Sequence, residues 1–405
     1  MLLYWAVILP FSGSVLRGAR MPGEYPASRV SVSLFLQSIR DALHPVFALP
    51  ANRDGFAKMD RETMTDDHLK TELAALHMPV FDVPWAGACS PHVERIEARM
   101  LEWADAYGLF ISDAYRERVV RARYGWLAAR CYPNADPSLL QALADYFVWF
   151  FLVDDLFVDR VEPVGPDTLR NLTAMIDVLD YECTGPQPIY GERAWLDVCQ
   201  RLRARLSAEH FARFAQGMRL WATTAGLQII GHLRAEPIAV QQYETIRRHT
   251  SGMNPCLALA DAANAGAVPP DTFHRPEIQT LFRHANHIVC WSNDIQSVGV
   301  EAGQPGQFRN MVMIHASRGH TLQASVDYTA ERVRAEISAF VLCADALAQH
   351  ADTRVRGLVD GCRYWIRGYL DWVARDTQRY TAAAAAGDAD DRGLIAWSAD
   401  SAARG

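Results

Sequence analysis

From Pro91 almost to the C-terminus, apolar residues recur at three-and-four spacing, the period of helices that each bury one face. The pattern predicts helices over roughly 91–107, 111–130, 137–158, 166–180, 192–203, 207–233, 240–250, 254–264, 276–300, 321–350 and 354–382. Turn signals separate them: Tyr132-Pro133-Asn134, Pro163 to Pro166, Thr184-Gly185-Pro186, Pro269-Pro270 and Gly303 to Gly306. Pro276 stands where a helix starts, which suits a residue without an N–H. No run of alternating β-branched residues reads as a strand, so the class is all-α. The stretch from Ala142 to Val153 is apolar on most sides and belongs in the centre of a bundle. Residues 1–75 mix Pro, Ser and Gly with one amphipathic stretch near Val30–Leu43, and read as an N-terminal extension of low order. The helical domain is expected over 76–382, followed by a flexible tail over 383–405.

Composition narrows the function. Half of the 405 residues are hydrophobic and 21% are charged, the make-up of a globular protein. Forty basic against 47 acidic residues give a net charge of −7, which argues against nucleic acid as a partner. It leaves room for a small anion at a local basic site. Lys58 and Lys70 are the only lysines; arginine supplies the other basic residues. The eight cysteines include no C-x-x-C pair, so neither a thiolate metal site nor a disulfide framework is expected. Reduced thiols in a cytoplasmic protein fit this usage. The apolar run Leu2 to Phe11 is too short to span a bilayer and lacks a basic flank. An upstream start ahead of Met21 or Met59 explains it as well, and no stable membrane insertion is expected.

Two groups of oxygen-bearing side chains demand an explanation. Asp154, Asp155 and Asp159 end the most hydrophobic helix. Carboxylates there oppose the helix dipole, and a cation is the simplest compensation. With no His or Cys nearby, Mg²⁺ suits them better than zinc. A solvated helix end is the plainer alternative. On the helix over 276–300, Asn293, Ser297 and Glu301 recur every four residues and form one stripe of hard oxygen donors. A polar stripe facing solvent is the alternative, but Ile288, Val289 and Trp291 just before it read as buried. Asp294 lies off the stripe and need not be a ligand. Arg247-Arg248 end a helix that Gly252 and Pro255 interrupt, and Arg379-Tyr380 close the last helix. Taken singly, such arginines are surface charge; the arginine-rich stretch Arg201 to Arg213 reads as a solvated helix face.

Together these residues resemble the class I terpene synthases, in their bacterial form. Asp154-Asp155-x-x-x-Asp159 looks like the aspartate-rich motif, and Asn293, Ser297 and Glu301 match the N-D-x-x-S-x-x-x-E motif in full. Arg247, ahead of Asn293, stands at the family's diphosphate-sensing position. In the segment Arg247–Gly252, Thr250 and Ser251 match the linker and effector, and Arg379-Tyr380 match the C-terminal R-Y pair. Ser90-Pro91-His92, Trp103 and Gly108-Leu109 are similar to the start of the domain, so the resemblance covers roughly 80–382. One position departs from the pattern: Val300 stands where many relatives carry a phosphate-binding lysine.

The resemblance implies a single helical bundle around a central cavity, and three Mg²⁺ ions held by the two motifs. It implies diphosphate contacts from Arg247, Arg379 and Tyr380, and an isoprenyl diphosphate as substrate. Farnesyl diphosphate is the expected chain length, with geranylgeranyl or geranyl diphosphate as alternatives. A carbocation needs a dry, aromatic-lined cavity. Phe147, Phe150 and Phe151 have the right helical offset from Asp154 to line one, with Trp291 and Trp372 as weaker candidates; for any one of them plain core packing is the alternative. No protein base is nominated, since released diphosphate can take the proton. A homodimer is compatible with the resemblance. A chain-elongating prenyltransferase would want a second aspartate-rich motif and lysines, both missing. A non-catalytic helical scaffold would leave the carboxylates unexplained.

Overall fold

The computed structural model describes residues 71–159, 167–232, 238–264, 266–301, 310–350 and 352–380. Of the expected low-order extension over 1–75, residues 1–70 lie outside the described residues and 71–74 are helical; the tail expected over 383–405 also lies outside the described residues. The helical domain belongs to the unit Met64–Gly405. Its described residues are helical and turn structure with no strand, as expected. The helices are α1 (Val93–Ala106), α2 (Asp113–Ala122), α3 (Tyr124–Cys131), α4 (Pro137–Asp154), α5 (Asp167–Tyr181), α6 (Glu192–Arg205) and α7 (Ala208–His232). After these come α8 (Val240–Thr250), α9 (Met253–Leu257), α10 (Pro270–Phe273), α11 (Pro276–Glu301), α12 (Met311–Ala316), α13 (Leu322–His350) and α14 (Thr353–Arg375).

Helix α4 is central because its sequence leaves no polar face. Asp136 caps it, its carboxylate accepting from the backbone N–H groups of Ser138 and Leu139, and Pro137 takes the first turn. Trp149 stacks on Trp195 of α6 at 4.1 Å, and Tyr146 meets Phe214 of α7 edge-on at 5.1 Å. Fully burying each such ring is worth roughly 1.5–3 kcal/mol. The buried carboxylate within α4, Asp145, is answered by Arg201 at 2.7 Å and Gln141 at 2.9 Å. Burial raises its pKa to about 6 despite Arg201. The arginine stretch is therefore not simply a solvated face. Arg213 in it is also buried, reaching Asp261 at 3.3 Å and lying 3.8 Å over the Phe273 ring.

Four of the expected helices need correction. The helix over 111–130 is two helices: Arg123 takes a left-handed φ of 55°, and Trp372 Nε1 occupies the freed carbonyls of Ala122 and Arg123 at 3.1 and 2.9 Å. The last turn of the helix over 137–158 widens into a π-helical segment, Asp155–Asp159. The stretch 254–264 is helical only as far as Leu257 and then becomes turns, anchored where Asp261 accepts the Val268 N–H at 2.8 Å. Helix α14 stops at Arg375, so Arg379-Tyr380 lie in a turn beyond it; the Gln378 N–H bonds the Arg121 carbonyl at 2.9 Å and draws that turn onto α2. Two short helices that the periodicity did not show, α10 and α12, fill turns on either side of α11.

The predicted interruption after Arg247-Arg248 is present. Helix α8 ends at Thr250, Gly252 adopts a φ of 71°, and α9 starts at Met253. Glycine is required there twice over: the positive φ disfavours any side chain, and a Cβ would sit 2.5 Å from the Phe150 ring.

Candidate active site

The two oxygen-donor groups come from helices that are distant in sequence. Asp154 ends α4, and its Oδ1 accepts from Trp221 Nε1 of α7 at 3.1 Å. Asp155 opens the π-helical segment. The side chain of Asp159 lies outside the described residues. Asn293, Ser297 and Glu301 lie along one side of the C-terminal half of α11.

A run of hydrogen bonds ties the two groups together. Arg379 Nη2 donates to Asp155 Oδ1 at 3.0 Å. Next in the chain, the Tyr380 hydroxyl accepts from Asn293 Nδ2 at 2.8 Å. Asn293 Oδ1 accepts from Arg247 Nη2 at 2.6 Å. The turn after α14 thus bridges the end of α4 to α11, and α8 delivers a second guanidinium to the same place. The described contacts bring together Asp155, Asn293, Arg247, Arg379 and Tyr380. Ser297 and Glu301 join them through Asn310, whose Nδ2 lies 3.4 Å from Ser297 Oγ and 3.0 Å from Glu301 Oε2.

Both arginines keep their charge in this partly enclosed place. Burial works against the Arg247 cation, but the Asp294 carboxylate, together with Tyr243, Cys290 and Glu301, outweighs it and holds the pKa well above its ordinary value. Burial likewise opposes the Arg379 charge, which Asp155 and Tyr124 sustain. Asp294, off the ligand stripe as expected, has a different task. It is fully buried, and it accepts from Arg247 Nε at 3.1 Å, from the Tyr243 hydroxyl and from the Met311 N–H at 3.0 Å. Burial still raises its pKa.

The aromatic candidates separate into two sets. Phe151 stacks on Tyr124 at 4.3 Å, with the Arg379 guanidinium 5.2 Å over its ring. Phe150 meets Phe151 edge-on at 6.2 Å and Trp221 at 5.2 Å. Phe147 packs against Tyr132 and Trp365. Trp372 is fully buried, against Tyr369 and Tyr380. Trp291 belongs elsewhere. It stacks on His287 at 4.4 Å, with the Arg332 guanidinium of α13 over its ring at 4.6 Å. The reason is helical geometry: Trp291 precedes Asn293 by two residues, about 200° around the helix, so the two face opposite sides. Trp291 thus faces α13 and turns away from the donor stripe, contrary to the expectation that it meets substrate. Thr250 and Ser251 sit at the break; the Ser251 hydroxyl accepts from the Met253 N–H at 3.3 Å, and the Thr250 side chain is buried.

Among the described residues, no three His, Cys, Asp or Glu side chains gather to hold a metal. The donors instead are a carboxylate pair on one side and an amide, a hydroxyl and a carboxylate on the other, all oxygen. That chemistry fits a hard divalent cation and gives zinc no nitrogen or sulfur ligand.

Five residues at the site escaped the sequence reading: Tyr124, Trp221, Tyr243, Asp294 in its arginine-holding role, and Asn310. Asn310 left a signal, standing directly before an apolar run as a helix cap does. It caps α12 through the Val312 N–H at 2.9 Å while its amide faces α11. The others reach the site only through folding.

Residues 145–339 match the family model described as terpene synthase family 2, C-terminal metal binding. The chain is 66% identical over 326 residues to a sesquiterpene synthase of Metarhizium brunneum, covering 80% of this chain and 95% of the relative. It is 59% identical over 314 residues to the (+)-corvol ether B/(+)-corvol ether A synthase, (2E,6E)-farnesyl diphosphate cyclizing, of Kitasatospora setae, covering 78% of this chain and 98% of that one. The relatives therefore extend beyond bacteria. The fold is similar to the crystal structure of α-eudesmol synthase, with a TM-score of 0.64 at 22% identity over 73% of this chain and 99% of that one. With its bundle, its two oxygen-donor motifs and these relatives, the chain belongs to the class I terpene synthases.

Proposed function

We propose that the protein ionises farnesyl diphosphate with Mg²⁺ and cyclises the resulting carbocation to a sesquiterpene hydrocarbon or alcohol, releasing diphosphate. The observation that supports this reading is the run Asp155–Arg379-Tyr380–Asn293–Arg247, in which one guanidinium meets the first donor group and a second guanidinium meets the other. The relatives named for farnesyl diphosphate support the chain length.

Asp154 and Asp155, with Asp159, would hold metal on one side, and Asn293, Ser297 and Glu301 on the other; three ions is the expected number. Bound Mg²⁺ supplies Lewis-acid neutralisation of the charge that builds on the diphosphate as the carbon–oxygen bond breaks. The remaining work falls to the chain. Arg247 and Arg379 present forked N–H donors to phosphate oxygens, and the Tyr380 hydroxyl adds a third donor. With Val300 in place of lysine, the two arginines carry more of the anion. Phe150 and Phe151 offer ring faces to the allylic cation, each worth roughly 0.5–2 kcal/mol when desolvated. Released diphosphate is the nearest base for the final proton.

The test is incubation of purified protein with Mg²⁺ and the C10, C15 and C20 diphosphates, followed by analysis of volatiles. The expected result is cyclic C15 product from farnesyl diphosphate alone. Arg247→Ala and Asn293→Ala should abolish turnover with helicity intact by circular dichroism. Full activity in either variant would overturn the assignment of the site.

A further inference from the structure

The break between α8 and α9 is gripped by a side chain that the functional reading leaves without a role. Asn286 of α11 is fully buried. Its Nδ2 donates to the Arg248 carbonyl at 2.9 Å and to Asn254 Oδ1 at 3.0 Å. Its Oδ1 accepts from the Cys290 thiol at 3.1 Å, which fixes the orientation of the amide. Asn254 Nδ2 in turn reaches His249 Nδ1 at 2.9 Å. One amide thus holds the last turn of α8 through Arg248 and the first turn of α9 through Asn254.

The grip answers a physical need. Carbonyls in the last turn of a helix have no partner within it, and a buried helix end must find them elsewhere. Here the partner comes from the helix that carries the second oxygen-donor motif. Asn286 precedes Asn293 by seven residues, so both amides lie on the same side of α11. On α4, the Phe150 ring lies so close to Gly252 that a Cβ there would clash. The break is held between α4 and α11, the two helices that supply the oxygen donors. Arg247 is the chain neighbour of Arg248, so a shift of the gripped carbonyl moves Arg247 with it.

We propose that Asn286 is a positioning residue for ionisation. It fixes the α8–α9 break so that Arg247 meets the diphosphate beside Asn293. The proposal rests on the terpene synthase reading above. A purely structural amide would stabilise the fold without affecting the chemistry, and the two roles predict different measurements.

The experiment compares full-length wild type with Asn286→Leu, which keeps the branching of the side chain but cannot donate, and with Asn286→Asp. Assays use Mg²⁺ and farnesyl diphosphate, normalised to folded protein. For N286L, kcat should fall by about tenfold or more, with a much smaller change in KM, because the Arg248 carbonyl loses its donor. The share of acyclic products should rise. Amide hydrogen exchange should quicken over residues 249–257 and stay unchanged in α13. In N286D an ionised carboxylate offers no donor, whereas the protonated acid offers one. The kcat of N286D relative to wild type should therefore rise as the pH is lowered. The titratable and charged groups around the position, Arg247, Arg248 and His249 of α8 with Cys290 and Asp294 of α11, are the same in both proteins. The ratio therefore removes the pH dependence that the two proteins share. Folded N286L with wild-type kcat, product ratio and exchange would overturn the proposal alone. Wild type inert toward the C10, C15 and C20 diphosphates would overturn the reading beneath it, and the exchange measurement would still decide whether Asn286 holds the break.

Discussion

Single side chains at this site act through buried partners. Asp294 is the clearest case, since it turns Arg247 toward Asn293 while standing outside the donor stripe. Asp294→Asn keeps the shape and removes the charge. Hydrogen bonds to charged groups are worth about 1.5–3 kcal/mol, so kcat should fall about 10- to 150-fold while helicity is retained. Steady-state assay with circular dichroism checks this. Away from the site, Glu97 shows a different cost. Burial raises its pKa to about 7, although the Gly125 N–H donates to Oε2 at 2.8 Å. The folded protein therefore holds a proton on Glu97 that the unfolded chain releases near its ordinary value of 4.5. Where the folded state binds more protons, stability falls as pH rises. Glu97 thus lowers stability progressively between about pH 4.5 and pH 7, and the loss is complete above that window. Glu97→Gln should raise the thermal midpoint at pH 8, with the gain shrinking toward pH 5.

Among the helices, two breaks decide how the chain turns beside the candidate site. Gly252 allows α8 and α9 to change direction beside Phe150. Gly252→Ala should lower the thermal midpoint, because left-handed backbone costs an L-residue roughly 1–2 kcal/mol and the added methyl meets the Phe150 ring. Turnover should fall with it, which calorimetry and product analysis check. This break was legible in the sequence because Gly252 and Pro255 punctuate the helical pattern. The break at Arg123 was not. No glycine or proline precedes it to mark a stop, and it depends on Trp372, 250 residues beyond Ala122, to occupy the freed carbonyls. The end of α14 is hidden from the sequence for a similar reason. The pattern continues to Arg379-Tyr380, but the hydrogen bond from Gln378 to Arg121 turns the chain earlier.

Taken as a whole, the molecule keeps both donor groups within its helical domain. A chain begun at Met59 should keep its thermal midpoint and its turnover, since both donor groups and the residues matched to the family model lie beyond it. A large loss of activity on truncation would make the extension part of the working enzyme. Chelation of divalent metal should abolish turnover, and added Mg²⁺ should restore it, while far-ultraviolet circular dichroism stays constant. Among the described residues no helix is long and apolar enough to cross a membrane.

Local pattern was enough to establish the class of the fold, and the resemblance of its motifs to a known family named the residues expected to meet a metal-bound anion. Helical period and oxygen-donor spacing need no tertiary information: residues four apart share a face whatever the helix packs against. Which of those residues meet is a matter of packing. Arg379 reaches Asp155, and Tyr380 reaches Asn293, only because the turn after α14 folds back across the end of α4 and α11. Packing also set Trp291 toward α13 and brought Tyr124, Trp221, Asp294 and Asn310 into the site. These are contacts between side chains far apart in sequence, fixed by how helices lie against one another, and no periodicity records them.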